Sequence, residues 1–303
     1  LVIIWAMFAN HTRGLLWRGL LHGWMALIGI SVLTTWQHHF IDLPTGALAG
    51  FFCLWLLPLQ GATPLTQIRL ASDPRRWRLA LCYGLGATLC AVLAVKLGGT
   101  WLWLSWLAVA LAMVALNYLL FGAGGFQKQA DGRLSPAATV LLAPYLLGAW
   151  INSRLWTFRK PAPSQVVEGI DLGRLPAMGD LGGYAALVDL CAELPLQHTL
   201  QNYCSLPSLD LVAPDALTCQ RAAEAIENLR HKGPVLVCCA LGYSRSATAV
   251  AAWLLHSGRC QSVDAAVTLI RQARPQVMLG PQHLAALQSM VDAQPGLEVA
   301  HAG

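Results

Sequence analysis

Val235-Leu-Val-Cys-Cys239-Ala-Leu-Gly242-Tyr-Ser-Arg245-Ser246-Ala-Thr-Ala-Val-Ala-Ala-Trp-Leu-Leu255 is the stretch on which the fold turns. It begins as an apolar, strand-like run and ends as a helix-like one. Between them lies a short loop with Gly242 near its centre. A strand, a tight turn and a helix N-terminus aim several backbone N–H groups at one point. Such a point attracts a phosphate dianion and favours thiolate over thiol. Cys239 opens the loop as a nucleophile, and Arg245 closes it as a bidentate clamp for phosphoryl oxygens. Ala240, Leu241, Gly242, Tyr243 and Ser244 line the phosphate between them. The chemistry indicated is phosphoester hydrolysis through a cysteinyl-phosphate.

Short apolar runs alternate with helical ones on either side of that loop. Residues 170–176, 186–191, 203–207 and 235–238 are expected as strands, and 215–230, 246–257, 262–273 and 281–292 as helices. This alternation predicts an α/β domain, a central sheet flanked by helices. The segment Pro161-Ala-Pro-Ser reads as the linker that precedes it.

The other half of the chain is of a different kind. The 303 residues are 56% hydrophobic and only 12% charged, and the charges are unevenly spread. Residues 1–160 hold twelve Lys/Arg against three Asp/Glu, whereas 161–303 hold eight against twelve. We therefore expect a multi-helix transmembrane domain over 1–160 and a soluble domain over 161–303. The basic pI of about 8.8 then comes from residues beside the membrane and gives no reason to expect nucleic acid. Nine cysteines show neither metal-ligand spacing nor a disulfide framework, which fits a reduced compartment and no metal.

Segments 15–35, 43–59, 79–97 and 101–121 are long enough, or nearly so, to cross a bilayer. The chain opens inside an apolar run, so 1–9 is expected as the tail of a further helix and the sequence as a piece of a longer one. Three basic groups orient the set. Arg13 and Arg18 form the first, and Arg69, Arg75, Arg76 and Arg78 the second. Lys128, Arg133, Arg154, Arg159 and Lys160 form the third. Placing all three on the cytoplasmic face satisfies the positive-inside rule if 136–151 lies at the interface without crossing. The soluble domain is then cytoplasmic and His38 and Asp42 face the periplasm, in a multi-pass inner-membrane protein.

The loop residues resemble the signature of the protein tyrosine and dual-specificity phosphatase superfamily, His-Cys-x-x-Gly-x-x-Arg-Ser/Thr. Further landmarks are Leu172-Gly-Arg-Leu-Pro, Val188-Asp-Leu-Cys-Ala-Glu193 and Arg274-Pro275, so the likeness spans about 165–295. It implies a dual-specificity-phosphatase-like fold with no cofactor. Ser246 takes the place of the hydroxyl that helps the thiolate leave. Cys238 stands where the family has histidine, a residue that orients the loop and tunes the thiolate. In this superfamily the acid that protonates the leaving group lies roughly thirty residues before the cysteine. Asp210 and Asp215 are the candidates; Asp210 matches the position better, while Asp215 is well placed to cap a helix. Relatives that prefer polyphosphorylated inositol lipids carry extra cations in the loop. The neutral loop here suits a single phosphate on a protein, a lipid or a small alcohol.

A second constellation lies in the membrane half. His38 and Asp42 are four residues apart, on one face if helical, and ionisable groups there are costly. With Ser31 they resemble the last motif of the type 2 phosphatidic acid phosphatases, Ser-Arg-x₅-His-x₃-Asp, with Val32 in place of the arginine. The likeness implies a bacterial fusion of a partial lipid-phosphatase-like membrane domain with a cysteine phosphatase domain. Two alternatives stand beside this reading. One is a lipid phosphatase or phospho-headgroup transferase acting through the membrane half, and the other a non-catalytic phosphate-binding module. The partners expected are a phosphomonoester and the lipid bilayer.

Overall fold

A computed structural model describes residues 1–35, 42–197 and 200–293. Its contacts divide the chain into two compact units.

The first unit takes in residues 1–71, 79–121 and 135–145. It contains α1 (Val2–His11), α2 (Leu15–Thr34), α3 (Asp42–Leu56), most of α4 (Pro74–Leu97), α5 (Leu104–Leu116) and the first part of α6 (Pro136–Trp156). Among the described residues, three helical stretches are long and apolar enough to cross a membrane: Leu15–Thr34, Pro74–Leu97 and Gly99–Phe126. Of the expected span at 43–59, the described helix is α3, which ends at Leu56, three residues before the expected end. Segment 136–151 is part of a 21-residue helix that continues through Pro144 to Trp156.

The second unit joins residues 72–78 and 122–134 to everything from 146 onward. Its sheet holds β1 (Ser164–Val167), β2 (Ile170–Arg174), β3 (Ala186–Cys191), β4 (Asn202–Ser208) and β5 (Val235–Cys239). Their order is β1-β2-β5-β3-β4; β1 is antiparallel to β2 and the other neighbours are parallel. The helices α7 (Ala216–Arg230), α8 (Arg245–His256), α9 (Val263–Ala273) and α10 (Pro281–Asp292) follow. All four expected strands and four expected helices are present. The sequence reading missed β1, which has four residues and starts at Ser164, the last residue of the segment read as a linker.

Both faces of β5 are buried, hence its unbroken apolar run. Val235, Val237 and Cys239 face the core shared with α7 to α10. Leu236 and Cys238 face a second core, where Ala149 of α6 packs. Period-two alternation thus sends the two adjacent cysteines to opposite faces.

Candidate active site

Cys239 is the last residue of β5 and Arg245 the first of α8, so the loop between them spans the C-terminal edge of the sheet. The thiol is buried. Its Sγ accepts a hydrogen bond from the Gly242 amide at 3.3 Å and from Ser246 Oγ at 3.2 Å. A neighbouring hydroxyl and a loop amide therefore both converge on the sulfur, the geometry a leaving thiolate needs. Ser244, at the N-cap, makes no capping hydrogen bond with its side chain. The amides of the first turn are then left for an anion.

Gly242 is required by its backbone. Its φ is +74°, and a Cβ there would run into the backbone of Gly173 and come within 2.7 Å of the Arg174 nitrogen. Gly242→Ala is expected to displace the amide that reaches the sulfur. We expect a loss of roughly 10²-fold in kcat/KM, the scale of a ~1 Å misplacement. Phosphatase kinetics beside a thermal melt check this.

Arg245 is 1% exposed. Its Nη1 and Nη2 donate to the two carboxylate oxygens of Glu193 at 2.8 and 2.7 Å, a fork-to-fork pair. Nη1 also donates to the Ser208 carbonyl at 2.8 Å, and Nη2 to Asp210 Oδ1 at 2.9 Å. Nε has no protein partner, leaving that donor for a phosphoryl oxygen. Burial works against the charge of Glu193, but the guanidinium and its hydrogen bonds outweigh burial and hold the carboxyl below its usual range. Glu193 is a functional residue that sequence reasoning missed. It lies two residues beyond β3, and a carboxylate so close to a fully buried strand needs a partner.

Asp210 follows β4 and touches Arg245, whereas Asp215 caps α7, its Oδ1 accepting from the Thr218 amide at 2.7 Å. The two candidates thus separate by role. Burial raises the pKa of Asp210 and the Glu193 charge adds to this, against the opposing pull of Arg245. Its side chain is nonetheless 29% exposed, open to an incoming group. A rim carboxyl that holds its proton more tightly than a free aspartate can act as a general acid.

Cys238, in the place of the expected histidine, points away from Cys239 into the second core. Burial and then Asp189 push its thiol well above the ordinary range, so it is neutral. A buried ion pair occupies that region. Lys128 Nζ donates to Asp189 Oδ2 at 2.6 Å, and both side chains are fully buried. It also donates to the carbonyls of Cys191 (2.6 Å) and Leu194 (2.9 Å), which bracket Glu193. Asp189 further accepts from Tyr203 Oη and the Cys191 amide. The use of Lys128 as a membrane-orienting charge is therefore corrected: its ammonium is spent inside the catalytic unit.

The end of α6 also reaches the loop. Ser153 Oγ donates to the Ala240 carbonyl at 2.6 Å, and Tyr243 Oη donates to the Trp156 carbonyl at 3.1 Å. Of the membrane constellation, His38 lies outside the described residues. Ser31 Oγ donates to the Ile28 carbonyl of its own helix at 2.8 Å, and Asp42 begins α3.

Residues 186–292 match the family described as "Dual specificity phosphatase, catalytic domain". No curated protein sequence matches the chain. Among solved structures, human DUSP28 is 25% identical, with 43% of this chain and 96% of that one covered at a TM-score of 0.39. A mouse putative dual specificity phosphatase complexed with zinc tungstate is also 25% identical, covering 44% and 88% at 0.40. PTPMT1 in complex with PI(5)P is 18% identical, covering 43% and 95% at 0.36. The family match falls on the strands and helices that carry Cys239, Arg245, Glu193 and Asp210. The second unit therefore holds a cysteine-dependent phosphoric monoester hydrolase domain of the dual-specificity type.

Proposed function

We propose that this chain is a membrane-bound phosphomonoesterase that works through a cysteinyl-phosphate. The observation that carries the proposal is the meeting of Gly242 N and Ser246 Oγ at Cys239 Sγ, beside an arginine locked by Glu193. Cys239 as thiolate attacks phosphorus and the ester P–O bond breaks. Asp210 gives its proton to the departing alkoxide. Arg245 and the loop amides balance the charge on the equatorial oxygens. In the second half-reaction Asp210, now a carboxylate, takes a proton from water, which attacks phosphorus. The P–S bond breaks, phosphate leaves, and Ser246 stabilises the thiolate. Every step uses residues of the second unit.

The test is hydrolysis of p-nitrophenyl phosphate by the full chain in detergent, with chelator present. Asp210→Asn is expected to lower kcat by about 10²-fold. Because the raised pKa keeps Asp210 protonated to higher pH than a free aspartate, wild-type kcat should fall on the alkaline side as that proton is lost. Asp210→Asn should flatten that limb. An unchanged profile would remove Asp210 from the role.

The candidate spans and their flanking arginines support a multi-pass inner-membrane location with the catalytic unit cytoplasmic. Protease digestion of spheroplasts from the periplasmic side should leave residues 161–303 intact. The Ser31, His38 and Asp42 spacing supports kinship of the membrane half with lipid phosphatases. Activity on a phosphatidic acid vesicle that survives Cys239→Ser but not His38→Ala would assign chemistry to it.

A further inference from the structure

A serine or threonine on a helix ordinarily bonds back to a carbonyl of the preceding turn. Thr157, just past α6, does so, its Oγ1 donating to the Ser153 carbonyl at 2.7 Å. Ser153, in the last turn of α6, is 2% exposed and sends its Oγ elsewhere. It donates to the Ala240 carbonyl of the catalytic loop at 2.6 Å, 87 residues away in sequence.

Ser153 is itself held in place. Arg174, at the end of β2, donates through Nη1 to Thr157 Oγ1 at 2.8 Å. A relay of hydrogen bonds therefore runs from the sheet through Thr157 and Ser153 to the loop. One turn earlier, Ala149 packs in the core that contains Cys238 and Ala240. Further along the loop, Tyr243 Oη donates to the Trp156 carbonyl at 3.1 Å. The end of α6 thus holds the loop at two points, Ala240 and Tyr243. All these residues belong to the second unit, yet Ser153 precedes residue 186, where the family match begins.

Ala240 directly follows the nucleophile, so its carbonyl fixes the plane of the Ala240–Leu241 peptide. That peptide is trans, as are all peptides among the described residues. In a trans peptide the C=O and the N–H point in opposite directions. A carbonyl drawn toward Ser153 therefore turns the Leu241 N–H the other way. Cys238, in the place of the superfamily's loop-orienting histidine, has only a weak thiol donor to offer.

We propose that Ser153 is a positioning residue for the cysteine chemistry. By holding the Ala240 carbonyl outward, it keeps the Leu241 N–H turned into the loop as a donor to an equatorial phosphoryl oxygen. The contact that orients the loop thus comes from α6 and not from residue 238. The proposal rests on the phosphatase reading above. A donor aimed in this way acts most strongly as charge develops on phosphorus, so its loss should appear in kcat before KM.

The experiment uses the full chain in non-ionic detergent, with reductant and chelator. It measures p-nitrophenyl phosphate kinetics, vanadate affinity and a thermal melt. Ser153→Ala should lower kcat by about 30-fold with KM little changed, somewhat less than outright loss of one such donor costs. Vanadate should bind the variant more weakly by a similar factor. Ser153→Cys keeps the buried shape with a poor donor, and it carries the test if the alanine variant does not fold. A folded variant with a lower melting temperature but unchanged kcat and vanadate affinity would make Ser153 merely structural and overturn the proposal. A fall in kcat with vanadate affinity intact overturns it too, because the Leu241 N–H would then not face the phosphoryl oxygens. Wild type that binds vanadate without turnover would overturn the phosphatase reading alone, and weaker vanadate binding by Ser153→Cys would still support the positioning. Wild type that neither turns over nor binds vanadate overturns both.

Discussion

Cys239→Ser is expected to abolish hydrolysis of p-nitrophenyl phosphate, lowering kcat by on the order of 10⁴-fold or more, the scale of losing a covalent nucleophile. The fold should not change, because the serine fills the same buried site beside Gly242 N and Ser246 Oγ. Two measurements separate loss of chemistry from loss of structure. Quenching the wild-type reaction in acid should trap a phosphoenzyme that the variant lacks, and vanadate should still bind the variant. Turnover that persists in Cys239→Ser, with chelator present, would move the chemistry elsewhere. Arg245→Lys should come close to the same loss. A lysine places one point charge where the arginine makes four hydrogen bonds to Glu193, Ser208 and Asp210.

Lys128→Met is expected to cost roughly 3–5 kcal/mol of stability, because it leaves the Asp189 carboxylate in a fully buried place without its cation. Only the Cys191 amide and Tyr203 hydroxyl remain to it. The carbonyls of Cys191 and Leu194 lose a donor too, and the turn that carries Glu193 loosens. Denaturant unfolding of the catalytic unit checks the first effect, and kcat at low denaturant the second. Pairing Lys128→Met with Asp189→Asn should recover much of the stability, since the second change removes the stranded charge. No recovery, or no loss in the single variant, would show that the pair is not what holds the turn. Fragment 161–303 lacks Lys128 and the end of α6, so we expect it to be poorly folded and a poor surrogate for the full chain.

The catalytic loop was legible because each of its requirements is local. A strand that ends in a cysteine, a glycine forced to positive φ and an arginine that begins a helix lie within eleven residues of chain, 235–245. Asp210 could be narrowed to two candidates, but only packing against Arg245 separated it from the helix cap at Asp215. Glu193 was quoted as part of a motif, yet its grip on Arg245 spans 52 residues and leaves no periodic signal. Lys128 misled for a related reason. A lysine after an apolar span reads as an interfacial charge, and its true partner lies 61 residues further on. In the N-terminal half, apolarity announced helices but not where they stop, and α3 ends at Leu56, short of the expected residue 59.

The place of Lys128 has a consequence for biosynthesis. During translation the segment 122–134 leaves the ribosome before β3 exists, so the ammonium waits for a carboxylate not yet made. The ion pair closes only when β3 docks, and completion of the catalytic unit is thereby tied to a segment that directly follows an apolar helical stretch. A clip after residue 134 would leave a downstream product without this lysine. Such a product would carry every residue of the hydrolytic loop and still strand Asp189. The lysine thus acts as a licence, granting competence only to a chain whose upstream part is present.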